Sequence, residues 1–212
     1  MIDRKNARLL ALAGMMIFVS TIAVLLARQF NVGPERPSPD FRTFGPKTAP
    51  VQIYEYTDFA CPACRHAAAK IEEMLKIYGD GLRVSFKHYP LLNIHPWSFH
   101  AAAYADCAGE QGKFREYAGL LFENQEKWAQ AKEKPADFEA YAAQLKLDWP
   151  KMAACADTPE TLQRLKLDIA EAELKGVDAT PTFFINGKRA VGGGQLLDQA
   201  RKFDNLLRAA KP

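Results

Sequence analysis

Several things this sequence lacks narrow it at once. It has only four cysteines in 212 residues, Cys61, Cys64, Cys107 and Cys155, while hydrophobic residues make up 48%. A small scaffold stapled by disulfides is therefore excluded, because the apolar content can build a core unaided. A strong charge imbalance is missing too. The formal net charge is +3 and no long basic cluster stands out, so nucleic acid is not an expected partner. There is no second C-x-x-C, and His88, His95 and His100 form no close pair on one helix face. Structural zinc wants two further ligands at such spacing, so no metal is expected, and no cofactor. No internal repeat is evident.

Charge is absent altogether from Leu9 to Ala27, a run of nineteen residues. As a helix it spans roughly 29 Å, close to a bilayer hydrocarbon core of about 30 Å. Arg4, Lys5 and Arg8 precede it and Arg28 follows. That bias favours a cytoplasmic N-terminus over 1–8, a single-pass signal anchor over 9–27, and everything after it on the periplasmic or extracellular side of the cell membrane. A cleaved signal peptide is the rival reading; Leu25-Leu26-Ala27 is a poor cleavage site for it. Either export reading puts the chain where disulfides persist. Residues 28–40, with Gly33, Pro34, Pro37 and Pro39, read as an extended tether.

Beyond the tether, Phe41 to Phe44 reads as a short edge strand and Val51 to Thr57 as a strand with Val51, Ile53 and Glu55 on one face. Glu55 would continue an apolar stripe toward Cys61; the alternative is a strand-end acid that reaches solvent. A helix runs from the cysteine pair to about Tyr78, stopped by Gly79-Asp80-Gly81. Leu82 to Tyr89 alternates as a second strand, and the order strand–helix–strand predicts a parallel crossover. Residues 96–175 are helical in pattern: Phe99 to Cys107, Phe114 to Phe122, Phe138 to Leu145 and Pro159 to Leu174. Thr182 to Ile185 is a strand, Asn186-Gly187 a two-residue hairpin turn, and Lys188 to Val191 the return strand. Gly192-Gly193-Gly194 reads as a bend before a closing amphipathic helix, Gln195 to Ala210. The expected parts are 41–95 and 176–212, which share one sheet, with 96–175 inserted between them. The fold class is α/β.

Chemistry concentrates at Cys61-Pro62-Ala63-Cys64, where a strand hands over to a helix. At the N-cap, free backbone N–H groups and the helix dipole favour an anion, so the Cys61 thiol should titrate low. Pro62 suits the first helical position. Cys64, a turn further in, would resolve the mixed disulfide that Cys61 forms. His66 reads as a solvated helix residue. Phe59 and Ala60 are candidates for an apolar rim around the dithiol, while Trp97 and Phe99 read as core of the helical block. Cys107 and Cys155 are either a second disulfide or two buried thiols; an even count in an oxidising compartment favours pairing.

The dithiol after a strand, together with Thr180-Pro181-Thr182 opening a later strand, resembles a thioredoxin fold. The inserted helices, the run Cys107-Ala108-Gly109-Glu110-Gln111-Gly112-Lys113-Phe114 and the run Thr180 to Gly187 resemble its DsbA-like branch. The resemblance covers roughly Asp40 to Leu207. It implies a thiol:disulfide oxidoreductase in which Pro181 follows a cis bond beside the dithiol and Thr180 offers backbone hydrogen bonds to a substrate strand. From the residues alone, a trans proline at a strand start is the ordinary reading. The resemblance also implies that Glu55 exchanges a proton with Cys64. Ala63 departs from the His that the best-known DsbA enzymes carry between their cysteines, which removes one charge that stabilises the thiolate.

The resulting expectation is a membrane-anchored oxidase that passes disulfides to reduced, unfolded secreted or envelope proteins. A DsbB-like or VKOR-like membrane partner would reoxidise it. The alternatives are a reductase or isomerase on the same fold, or a tethered chaperone-like binding module with an idle dithiol.

Overall fold

The computed structural model describes residues 4–29 and 35–209. Residues 1–3, tether residues 30–34 and Ala210 of the closing helix fall outside the described residues. The first helix, α1, is Arg4–Gln29. Among the described residues no helix is long and apolar enough to cross a membrane, so the span expected over 9–27 rests on sequence.

One five-stranded sheet organises the rest. Its strands are β1 (Thr43–Phe44), β2 (Val51–Thr57), β3 (Leu82–His88), β4 (Thr182–Ile185) and β5 (Lys188–Val191). Their order across the sheet is β1-β3-β2-β4-β5. β2 and β3 run parallel, in register from Val51↔Leu82 to Thr57↔His88. β4 lies antiparallel on the other side of β2, from Ile53↔Ile185 to Tyr56↔Thr182. The β4–β5 hairpin turns at Asn186 (φ 46°) and Gly187 (φ 78°), the left-handed pair that such a turn demands.

The helix α2 (Pro62–Tyr78) follows β2. Ala67, Ile71 and Met74 are its buried face and belong to one cluster with Val51, Ile53, Leu82 and Val84. The last helix, α9 (Gly192–Ala209), adds Leu196, Ala200 and Leu207 to that cluster. The opposite face of the sheet packs Tyr56 and Phe184 against Ala172 and Val177. Ala172 lies on α8 (Pro159–Leu174). Strand alternation thus splits β2 between two cores, and both sides of the central strand are buried.

Between β3 and β4 lie α3 (Ser98–Glu110), α4 (Phe114–Glu123), α5 (Gln125–Trp128), α6 (Asp137–Gln144), α7 (Trp149–Ala156) and α8. Tyr104, Tyr117, Leu121, Trp128 and Phe138 are buried in this block. Two of these helices, α5 and α7, are absent from the sequence reading. Glu123 to Lys127 is a run of five polar residues with no apolar stripe, and α7 buries only Met152 and Ala156. Two further elements differ from expectation. Asp40–Arg42 is a 3-10 turn that shortens the edge strand to Thr43–Phe44. The glycine triplet is not a bend but the first turn of α9, entered through Gly192 at φ 72°. The Gln195 side chain accepts from the Val191 N–H there, at 2.9 Å, and a glycine suits that positive φ.

A buried ionic cluster joins the segment before β1 to α3 and α8. Arg42 lies 2.5 Å from Asp168 and 3.2 Å from Asp106. Lys87 reaches Glu171 at 2.9 Å, and Arg36 reaches Asp168 at 3.1 Å. Buried charges persist only when paired in this way.

Candidate active site

The site sits where β2 ends and α2 begins. Cys61 is the N-cap of α2, with extended backbone (φ −82°, ψ 121°) ahead of Pro62. Its carbonyl accepts from the N–H groups of Cys64 (3.0 Å) and Arg65 (3.2 Å), so the helix starts on the first cysteine. Cys61 is 8% exposed and Cys64 is 0% exposed; neither is in a disulfide. One thiol can meet another molecule and the other cannot.

The two thiols titrate in opposite directions. A hydrogen bond from Cys64 is the largest influence on Cys61 and pulls its thiol down to about 5, with Thr180 and the first helical N–H groups adding to it against the cost of burial. Burial pushes Cys64 well above the ordinary thiol range, and the neighbouring Cys61 adds to the rise. A helix N-terminus with a buried partner thiol has this effect on principle. At neutral pH, then, Cys61 is a thiolate and Cys64 a thiol.

Thr180 supplies the facing wall. The Thr180–Pro181 peptide is cis, and the Cys61 Sγ lies 3.4 Å from the Thr180 carbonyl oxygen.

Glu55, the third residue of the β2 stripe that begins at Val51, is fully buried, and among the described residues neither carboxyl oxygen has a hydrogen-bond partner. It shares the α2 face of the sheet with Ile53, and its register partners are Phe86 and Phe183. Burial pushes its carboxyl up to about 8, with the nearby Thr57 hydroxyl opposing. Glu55 is therefore mainly neutral at pH 7.

Other residues of the site escaped the sequence reading. Asp58, 1% exposed, holds the loop between strand and helix. Its N–H donates to the Cys64 Sγ at 3.4 Å and its carbonyl accepts from the Cys61 N–H at 3.1 Å. Its carboxylate accepts from the Ala60 N–H (2.8 Å), the Leu91 N–H (2.8 Å), the Ser98 hydroxyl and the His95 Nδ1 (2.7 Å). From the helical block, the Gln125 carboxamide donates to the carbonyls of Phe59 (2.6 Å) and Cys61 (2.9 Å). Next to it, the exposed Glu126 pairs with Arg65 at 2.9 Å. An acid one residue past a strand and three before an N-cap was a usable signal for Asp58; Gln125, more than sixty residues away, carried none.

The expected apolar rim does not form from Phe59 and Ala60, which are 2% and 3% exposed. Phe59 turns inward, its ring centroid 5.0 Å from that of Phe122, and its carbonyl is held by Gln125. It lines a cleft of about 290 Å³ with Phe44, Phe86, Phe114 and Phe122. Leu92 and Ile94 are the exposed apolar residues on the loop that Asp58 holds. Trp97 and Phe99 are half-buried against the core. His66 is exposed and Ala63 lies on the open side of the first turn. The other histidines go separate ways: His88 to Asp106 at 2.8 Å, His95 to Asp58, and His100 against the Trp97 ring. Cys107 on α3 and Cys155 on α7 are joined in a disulfide, Cα atoms 5.9 Å apart.

A family model described as Thioredoxin matches residues 38–209. Among solved structures, a cysteine variant of Wolbachia pipientis alpha-DsbA1 superposes with a TM-score of 0.71 at 18% identity, covering 86% of this chain and 96% of that one. BdbD from Bacillus subtilis gives 0.69 at 20% identity, covering 82% and 96%. Among curated proteins, the chain is 38% identical over 148 residues to a Na(+)/H(+) antiporter NhaA 3 of Salinispora tropica, covering 70% of this chain and 22% of that protein. A Mycobacterium relative named Na(+)/H(+) antiporter NhaA 1 is 36% identical over 152 residues, 24% of its length. This chain thus spans about a quarter or less of those relatives. The chain belongs to the thioredoxin family, and its fold follows the DsbA-like plan of those solved structures, with helices inserted between the halves of the sheet.

Proposed function

We propose that this protein is an extracytoplasmic, membrane-anchored oxidase that introduces disulfides into reduced secreted or envelope proteins. The observation that carries the direction is the split between the thiols, Cys61 drawn down to about 5 and Cys64 pushed up. A dithiol whose outer sulfur is stable as a thiolate favours its own reduction and so oxidises others. In the reaction a substrate thiolate attacks the Cys61 Sγ of the oxidised protein, and Cys64 leaves and takes a proton. A second substrate thiolate then attacks the substrate sulfur of the mixed disulfide and releases Cys61 as a thiolate. Two electrons pass to the protein, and the substrate gains one disulfide. Glu55, protonated at pH 7, is the proposed proton donor to Cys64; its burial without a partner supports that role. The backbone beside Thr180 and Pro181 is the proposed seat of the extended substrate strand.

The placement outside the cytosol is supported by the Cys107–Cys155 disulfide, since such bonds persist in oxidising compartments. The anchor is supported by the uncharged run at 9–27 and by exposed apolar side chains on α1, among them Met16 and Phe18. The curated relatives are named as Na(+)/H(+) antiporters. Most of their length has no counterpart here, so antiport is not carried over. Reoxidation would fall to a DsbB-like or VKOR-like membrane partner.

Equilibration of the dithiol with glutathione tests the direction. An oxidase should give a potential well above about −200 mV; a value as low as thioredoxin's, about −270 mV, would replace it with the reductase reading. A tethered binding module would keep its function after Cys61→Ser.

A further inference from the structure

We propose that Gln125 is the positioning residue through which the inserted helices set the chemistry of the dithiol. The inference rests on Cys61 and Cys64 acting as a redox pair. Gln125 is the first residue of α5 and is 3% exposed. One nitrogen, Nε2, has two protons, and the structure gives it two acceptors: the carbonyl oxygens of Phe59 and Cys61. Those carbonyls bracket the peptide links that lead into the nucleophile. The Cys61 carbonyl is also the first acceptor of α2. The carboxamide therefore holds the loop and the helix start in one fixed relation, from outside the thioredoxin part of the chain.

The consequence is electrostatic as well as geometric. Carbonyl oxygens are the negative ends of their dipoles, and the sulfur that must bear a negative charge belongs to one of the residues that supplies them. Two N–H protons directed at these oxygens offset that field. With the protons removed, the Phe59 carbonyl loses its Gln125 donor in a buried place and the Cys61 carbonyl keeps only the two helical N–H groups. Both losses disfavour the Cys61 thiolate and with it the reduced form. Asp58 holds the same loop through its N–H groups, so the loop is gripped on its donors from one side and on its acceptors from the other. Neighbouring Glu126 is a built-in control, since its bond to Arg65 is exposed and lies on the outside of the helix.

The test uses the full chain with Gln125→Met, which keeps the length and removes both donors, and with Glu126→Ala beside it. A lost buried hydrogen bond of this kind is worth about a factor of ten in an equilibrium constant. Gln125→Met should therefore move the glutathione equilibrium about tenfold toward the oxidised form. Thiolate absorbance should show the Cys61 titration moved upward by about one unit. Glu126→Ala should move neither. A folded Gln125→Met protein that matches wild type in both readouts overturns the inference. A wild-type protein whose dithiol does not exchange with glutathione would instead overturn the redox reading itself, so the two failures are distinct. Should Gln125→Met not fold, the wild-type protein still decides by nuclear magnetic resonance. The Gln125 side-chain amide protons should exchange slowly with solvent and change shift between the oxidised and reduced forms. Fast exchange, or identical shifts in the two forms, overturns the inference.

Discussion

Two cysteine pairs in this molecule have the same chemistry available and opposite fates. Cys107 and Cys155 sit on two packed helices, α3 and α7, forty-eight residues apart, and are closed into a disulfide. Cys61 and Cys64 sit within one turn of α2 and remain thiols. The difference is in what surrounds each sulfur. The first pair crosses between elements, so its bond restricts a long loop. The second pair constrains almost nothing, but it stands at a helix start, beside the Thr180 carbonyl. Environment assigns one pair to stability and the other to exchange.

Substitutions can break that division. Cys61→Ser should reduce thiol exchange with a reduced model substrate to background and leave the melting temperature close to wild type. Residual exchange through Cys64 would mean that its burial does not protect it. Cys107→Ser should do the reverse. Closing a loop of 48 residues is worth about 4 kcal/mol in the chain-entropy account, so denaturant unfolding should show a loss of that order with exchange retained. A variant that exchanges poorly while folded would join the two pairs that the structure separates.

Glu55, the buried acid of β2, sharpens the comparison. Its carboxyl is raised from 4.5 to about 8. The folded protein therefore holds this proton more tightly than the unfolded chain does. The stability it contributes is complete below about pH 4.5 and is lost as pH rises toward 8. Glu55→Gln should accordingly be more stable than wild type at pH 7, by about 3 kcal/mol from that difference, and equal to it near pH 4. Its exchange should be slower and less dependent on pH, measured with a reduced substrate from pH 5 to 9. Equal kinetics across that range would remove Glu55 from the proposed proton path. The smallest effect belongs to the exposed Arg65–Glu126 pair. Glu126→Ala should change unfolding free energy by less than about 0.5 kcal/mol, because solvent screens both charges.

Much of the sheet was legible from the chain alone. β2, β3 and the β4–β5 hairpin are short runs in which alternation and turn chemistry agree, and the parallel crossover follows from their order. The glycine triplet misled, since glycine marks a turn and a helix entry equally well. α5 is too short and polar to show a periodic stripe, and α7 buries only Met152 and Ala156. Within the site, Cys61, Pro62 and Cys64 stood out from the residues themselves at a strand–helix boundary, whereas Thr180 and Pro181 stood out only through the resemblance, and for Glu55 alternation left a buried acid and a solvent-reaching one equally open. Phe59 was misplaced on the surface, because a lone aromatic before a cysteine does not say which way its ring will turn.

The amino-acid order by itself determined the dithiol, its place at a helix start and the uncharged run at the N-terminus. These are local properties: a thiol, an N-cap and a proline act through residues close to them in the chain. Only the tertiary structure decided which groups surround the sulfurs. It brought Thr180 and Gln125 to Cys61 across 119 and 64 positions of sequence, sealed Glu55 without a partner and filled Asp58 with four donors. Hydrogen bonds and desolvation depend on distances of a few ångströms, and those distances exist only once the helices have closed over the sheet.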